Sequence, residues 1–238
     1  MKSYLFKFLI CSVFVFTACV SEDKIVFQET EITTEDNSIV NINIPKAIGD
    51  PQIADNINAL ISSSISKSLN FENPDHISDK TVEEEISIFN TEFKAFKNDF
   101  PDSAQVCEAQ IDGDVMYQSP EIISLALTSY MNTGGAHGIL TIDILNFDAQ
   151  TGKQLSNADL FNNFDEVTKI AKPYYDTFLK ENDITPFEPD KFNLPENIGF
   201  EKEGVLFFYN VYEVTSYASG TIDFTIPYTE ISPYLNYN

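Results

Sequence analysis

The side chains that most often act as thiol nucleophiles, zinc ligands or proton shuttles near neutral pH are few: three cysteines and two histidines, His76 and His137. Of the cysteines, Cys19 has the clearest chemistry. It ends the run Phe16-Thr17-Ala18-Cys19, which reads as a lipobox with Phe in place of the usual Leu. Lys2 and Lys7 give a positive start, and Leu5 to Phe16 give an apolar run too short to span a bilayer. The expected events are cleavage before Cys19, acylation of its thiol, and stable anchoring by two or more acyl chains. An ordinary secretory leader with an incidental cysteine is the alternative. Cys11 leaves with the leader, so only Cys107 remains in the folded part and no intramolecular disulfide can form.

Cys107 lies in the alternating stretch Ala104 to Ile111, where a small buried side chain is expected rather than a nucleophile, which needs a base and a lowered pKa. Two histidines and one free cysteine do not make a usual zinc set, so no metal and no cofactor are expected. The His-Glu-x-x-His motif, the Gly-x-Ser-x-Gly elbow, the phosphate-binding loop and the dinucleotide fingerprint are all missing. A carboxylate pair could serve a glycosidase, but 37 acidic residues leave no particular pair favoured. The sequence therefore predicts no catalytic residues and no enzyme.

Charge narrows the partners. The full chain has a formal charge of −23; residues 1–18 hold two of its 14 basic residues and no acid, so the remainder carries 37 acids against 12 lysines, or −25, with no arginine. That balance opposes nucleic acid and anionic headgroups and suits a cationic partner. Solubility on a crowded surface explains it equally simply, because the acids are spread rather than blocked. Ser21-Glu22-Asp23-Lys24 resembles the acidic surface-export signals of Bacteroidetes lipoproteins, or serves only as a polar tether. The expected location is the outer membrane or cell surface, held there by lipid.

The elements that position these residues follow an α+β pattern. Lys24 to Thr33 and Ser38 to Ile44 alternate as half-buried strands. Asp50 and Pro51 start a helix whose Ile53, Ile57, Leu60, Ile61, Ile65 and Leu69 share one face, and Asn73-Pro74-Asp75 breaks the run. Thr81 and Glu84 form a capping box for a second helix with a stripe from Val82 to Phe100, expected to be core. Four strands are predicted next: Gln105 to Ile111, Val115 to Gln118 after an Asp112-Gly113-Asp114 turn, Ile122 to Tyr130, and Ile139 to Phe147. They read as an antiparallel meander with helices packed on one side. A helix from Phe164 to Lys180, bent at Pro173, a long connection from Asn182 to Asn197, and strands at Gly204 to Tyr209 and Ile222 to Ile226 complete the chain. The length suits one large or two small domains. The expected division is leader 1–18, acylated Cys and tether 19–24, an N-terminal α+β subdomain 25–130 and a C-terminal α+β subdomain 131–238.

Between and after the last two meander strands stand Tyr130, Gly134-Gly135-Ala136-His137, Asn146-Phe147-Asp148, Thr151-Gly152-Lys153 and Asp159-Leu160-Phe161. This ordered set resembles the extracytoplasmic domain of RsiV-type anti-sigma factors, also found as the non-catalytic part of PdaC-type peptidoglycan deacetylases and in lipoproteins of unknown role. Tyr217-Ala218-Ser219-Gly220 and Phe224-Thr225-Ile226-Pro227-Tyr228 are similar to that family's closing hairpin and final helix, so the likeness spans about Ile25 to Leu235. It implies a sensing or capture domain without the deacetylase half, the sigma-binding segment or a spanning helix. In RsiV-type proteins that domain recognises lysozyme.

Physically, Gly134 and Gly135 permit positive φ in a turn between strands, and Gly152 serves the bend after Asp148. His137 beside glycines is expected as a hydrogen-bonded staple ahead of a ligand or base. Of the C-terminal tyrosines, Tyr209, Tyr212, Tyr217, Tyr228, Tyr234 and Tyr237, some should be buried and others should recognise a partner. If a binding site exists, Tyr130, Gly134, Gly135, His137, Asn146, Asp148 and Gly152 are its candidates, since loops on a rigid sheet are where recognition concentrates. The expected role is non-catalytic recognition of a lysozyme-like basic protein or of peptidoglycan. The alternatives are a glycan deacetylase or hydrolase and a purely architectural envelope protein.

Overall fold

The computed structural model describes residues 25–70, 80–102, 104–135 and 137–237. The leader, Cys19, the segment Ser21 to Lys24, the Asn73-Pro74-Asp75 break, His76 and Ala136 lie outside the described residues. Nine strands and five helices are seen among those described.

The first sheet is mixed and six-stranded, in the order β1 (Val26–Ile32), β2 (Val40–Ile48), β3 (Cys107–Gln118), β4 (Ile122–Thr133), β5 (Ile139–Asp148) and β6 (Gln154–Leu155). Between β2 and β3 the chain forms α1 (Pro51–Leu69) and α2 (Val82–Asp99). The Asp50 carboxylate accepts the N–H groups of Gln52 at 3.0 Å and Ile53 at 3.2 Å, satisfying two of the donors that open α1. Thr81 and Glu84 close the capping box reciprocally at the start of α2, at 2.8 and 3.3 Å.

Alternation along the strands sorts two cores. Ile42, Ile111, Ile123 and Leu125 point to one face and meet Ile57, Ile61 and Ile65 of α1 and Ile86 of α2, all fully buried. Burial of each such side chain contributes roughly 1.5–3 kcal/mol, which offsets the ordering of two helices that end in open turns. The phenylalanine stripe of α2 is fully buried only as far as Phe89; Phe93 and Phe96 are half-buried, and Phe100 is 59% exposed and rests against Phe96, with ring centroids 5.3 Å apart.

The α+β class agrees with the sequence, and β3, β4 and β5 form the expected antiparallel meander with α1 and α2 on one face. Three features differ in detail. Asp112-Gly113-Asp114 makes no turn: β3 runs through it as one strand, bulged between Val115 and Tyr117. Gly113 is there for space, since a Cβ would lie 2.6 Å from the Pro45 ring and 3.1 Å from Leu127. β2 pairs with β3 in parallel, because the α1–α2 crossover returns the chain in the same direction.

The third feature is a second sheet, antiparallel, of β7 (Asn197–Phe200), β8 (Gly204–Tyr209) and β9 (Ile222–Pro227). It is reached through the short helix α3 (Asn157–Leu160) and then α4 (Phe164–Glu181), which stays helical through Pro173. The final helix is α5 (Tyr228–Ile231). Ile122, Leu160, Phe161, Val167, Phe200, Phe207 and Ile226 form the second core between this sheet, α4 and the first sheet. β7 crosses the face of the first sheet opposite α1 and α2. Gly199 lets it approach, as a Cβ there would stand 2.7 Å from Ile144. The join is polar and buried: Asn146 Nδ2 donates to Ile198 O at 2.7 Å, Ser124 Oγ donates to Asn146 Oδ1, and Phe200 N donates to Ser124 Oγ at 3.1 Å. Two further amides hold the outer backbone of β5. Asn197 Oδ1 accepts Ile144 N at 2.8 Å, and Asn210 both accepts Ile142 N and donates to Ile142 O, each at 2.8 Å.

Candidate functional site

The turn from β4 to β5 builds the most exposed group of functional side chains. Gly134 takes φ +85° and its N–H is held by Asn132 Oδ1 at 3.0 Å. Gly138 is buried because the Tyr130 phenol lies flat on it; a Cβ at Gly138 would sit 2.4 Å from the Tyr130 oxygen. The Gly138 carbonyl accepts the Tyr217 hydroxyl at 3.0 Å and lies 3.0 Å from His137 Nδ1. Above it the His137 and Tyr217 rings stack, with centroids 4.1 Å apart and planes 22° from parallel.

Tyr217 opens a 3-10 turn, Tyr217–Ser219, that Gly220 closes at φ +74°. Tyr212 stands beside it at a centroid distance of 5.7 Å, 53% exposed and with its own φ at +68°. A non-glycine residue in that region is uncommon and costs about 1 kcal/mol. The result is an aromatic step of His137, Tyr217 and Tyr212 resting on Tyr130 at the end of a rigid hairpin.

The other candidates are elsewhere. Asn146 is 2% exposed and all its described bonds serve the join between the sheets. Asp148 and Gly152 stand at the opposite end of β5 from His137, so the sheet separates the two candidate turns instead of bringing them together. There Asp148 Oδ1 accepts Gln150 N and Thr151 N at 2.9 Å, Asn56 of α1 donates to Thr151 O at 2.9 Å, and Gly152 at φ +68° faces Ile53 O. Gly135 alone has open space before it, its nearest neighbour being His137 O at 3.9 Å.

The tyrosines divide by exposure. Tyr209 is buried and donates to Asn193 O at 2.8 Å, and Tyr228 donates to Glu201 O at 2.7 Å, whereas the rings of Tyr212 and Tyr217 are exposed although the Tyr217 hydroxyl is held by Gly138 O. Sequence reasoning placed Tyr217 among six tyrosines without pairing it with His137, 80 residues away in the chain. The glycine-flanked turns on both sides were the available signal.

Acid–base chemistry is weakly supported. Burial pushes the Cys107 thiol up, against a smaller lowering by Lys97, which disfavours the thiolate. Burial also raises the carboxyls of Asp143 and Glu213; Lys67 partly offsets the first, and the N–H groups of Glu196 and Asn210, at 2.9 Å each, partly offset the second. Neither meets the aromatic step in any described bond. Among the described residues no three His, Cys, Asp or Glu side chains converge as metal ligands, and no helix is long and apolar enough to cross a membrane.

A family model described as Deacetylase PdaC matches residues 32–140, and one described as Protein of unknown function (DUF3298) matches residues 140–229. A PdaC-type match is thus followed directly by a DUF3298 match. The junction of the two matches falls inside β5, so the aromatic step takes Tyr130 and His137 from the PdaC-type domain and Tyr212 and Tyr217 from the DUF3298 domain. Two crystal structures are similar in fold. A DUF3298 family member from Bacteroides fragilis superposes with a TM-score of 0.60 at 20% identity, covering 90% of this chain and 95% of that one. A DUF3298 family protein from Pseudomonas aeruginosa superposes at 0.56 and 18% identity, covering 90% and 93%. No curated protein matches the chain.

Proposed function

We propose that this is a lipid-anchored protein of the outer membrane or cell surface whose folded part recognises a lysozyme-like basic protein without chemically altering it. The observation that carries the reading is the solvent-facing stack of His137 on Tyr217, in a chain of net charge −23 that has no arginine. Aromatic faces attract ammonium and guanidinium groups, and a strongly anionic chain speeds the approach of a basic partner. The name of the N-terminal family speaks of a deacetylase, and the assay below separates that activity from recognition. The anchor rests on the Phe16 to Cys19 motif alone.

The test is to incubate the purified full-length chain with lysozyme and, separately, with peptidoglycan. Retention of lysozyme and slowed lysis support the reading. Release of sugar or acetate from peptidoglycan overturns it in favour of an enzyme. Retention by peptidoglycan alone makes the ligand a glycan, and blank assays favour an architectural role. Mass spectrometry of the N-terminal peptide decides the anchor: acyl groups on Cys19 are expected, and an unmodified cysteine removes it.

A further inference from the structure

β7 to β9 cover the face of the first sheet around Ser124, Asn146, Ile144, Met116 and Tyr117. Further along that face, on β2 and β3, Asn41, Glu108 and Gln110 are exposed and Asn43 and Asp112 half-buried, and four of these side chains are held in one network. Asn43 Nδ2 donates to Asn41 Oδ1 at 3.0 Å and to Asp112 Oδ1 at 3.3 Å, and Gln110 Nε2 donates to Asp112 Oδ2 at 2.7 Å. An ionised carboxylate only accepts, so both amides must turn their NH2 groups inward to Asp112. The register places Glu31 opposite Asn43 and Glu108 two residues before Gln110 on the same face, adding two exposed carboxylates. No lysine stands at these face positions. The same row continues through Tyr130, opposite Gln110, to the aromatic step.

We infer that this exposed stretch of the sheet face is the docking surface for the basic protein, with lysine and arginine side chains bonding the oxygens around Asp112 and stacking on Tyr217 and Tyr212. The inference rests on the reading above and adds where the partner sits. Charge complementarity selects the occupant. Lysine and arginine carry donors and positive charge, and so fit a face that presents Asp112, Glu31 and Glu108. The partner would bridge both family domains, since Asp112 and Tyr130 lie in one match and Tyr217 in the other.

The experiment compares two charge-matched double variants of the full-length chain for binding hen lysozyme by calorimetry, in low and in high salt. Glu31→Lys with Glu108→Lys alters the face without removing a described side-chain hydrogen bond. Asp55→Lys with Asp99→Lys makes the same change in net charge on the helix layer behind it. Thermal melts confirm that both fold. The face variant should bind at least tenfold more weakly, with the gap shrinking in high salt, and the helix-layer variant should bind within about twofold of the parent. Equal weakening of the two, or an unaffected face variant, overturns this docking surface while leaving recognition of a basic protein intact. Failure of the parent chain to bind lysozyme overturns both, and tight binding of chitin oligosaccharides lost only in the face variant assigns the face to a glycan instead.

Discussion

The two turns at the ends of β5 use similar residues for opposite ends. At residues 148–153 the carboxylate of Asp148, a positive-φ glycine and a threonine fold back on themselves and are pinned by Asn56 of α1, with Gly152 facing the Ile53 carbonyl. Beyond β4 a positive-φ glycine and an asparagine again bond locally, yet among the described residues only the 3-10 turn of Tyr217 packs there, and His137 and Tyr217 stay exposed. Turn chemistry is thus common to both, while availability is decided by which layer lies above. The end of β5 near α1 is pinned by that helix; the end far from it keeps its aromatic rings exposed.

Substitutions can break or sharpen that contrast. The largest effect should come from Gly152→Val, because its Cβ would lie 2.6 Å from Ile53 O at φ +68°; a loss of about 3 kcal/mol in chemical denaturation is expected. Gly135→Ala in the other turn should cost under about 0.5 kcal/mol, having open space before it. Next comes Asn146→Ala, which leaves Ile198 O and the Ser124 hydroxyl without their partner in the buried join, at about 2 kcal/mol by the same measurement. His137→Ala should change stability by less than about 0.5 kcal/mol while weakening lysozyme binding several-fold; a lowered melting temperature with unchanged binding would make it a staple.

The smallest effect concerns pH. Burial raises the Asp143 carboxyl above its unfolded value, so the folded state holds that proton more tightly than the unfolded chain does. Its contribution is therefore fully present below the ordinary aspartate range, is lost as pH rises through the raised value, and leaves a buried charge that weighs against folding at neutral pH. Asp143→Asn should raise the melting temperature at pH 7 and flatten its change between about pH 4 and 7. An unchanged profile would show that Lys67 compensates the charge in full.

The helices were legible because their signals are local. Asp50-Pro51 and the Thr81–Glu84 box mark starts, and isoleucines four residues apart mark a face. The parallel β2–β3 pair was not, since it depends on where a crossover of two helices sets the chain down. Asp112-Gly113-Asp114 read as a turn because the close approach of Pro45 that requires Gly113 comes from a strand 68 residues away. Only four residues long, β7 follows a run of prolines and acids and carries little periodicity of its own. At the site, the sequence pointed to Tyr130 and His137 but also to Asn146, Asp148 and Gly152, because a hydrogen-bonding residue beside a glycine looks alike whether its bonds face inward or out. The stack on Tyr217 joins loops from two sheets, which no local pattern encodes.

The amides of Asn197 and Asn210 that occupy the outer backbone of β5 have a further bearing on life at high density. A bare stretch of strand invites the same stretch of a neighbouring molecule to zip onto it, the more so where molecules are crowded. With Ile142 N and O and Ile144 N already bonded by side chains of their own chain, this stretch of the β5 edge is closed to that pairing.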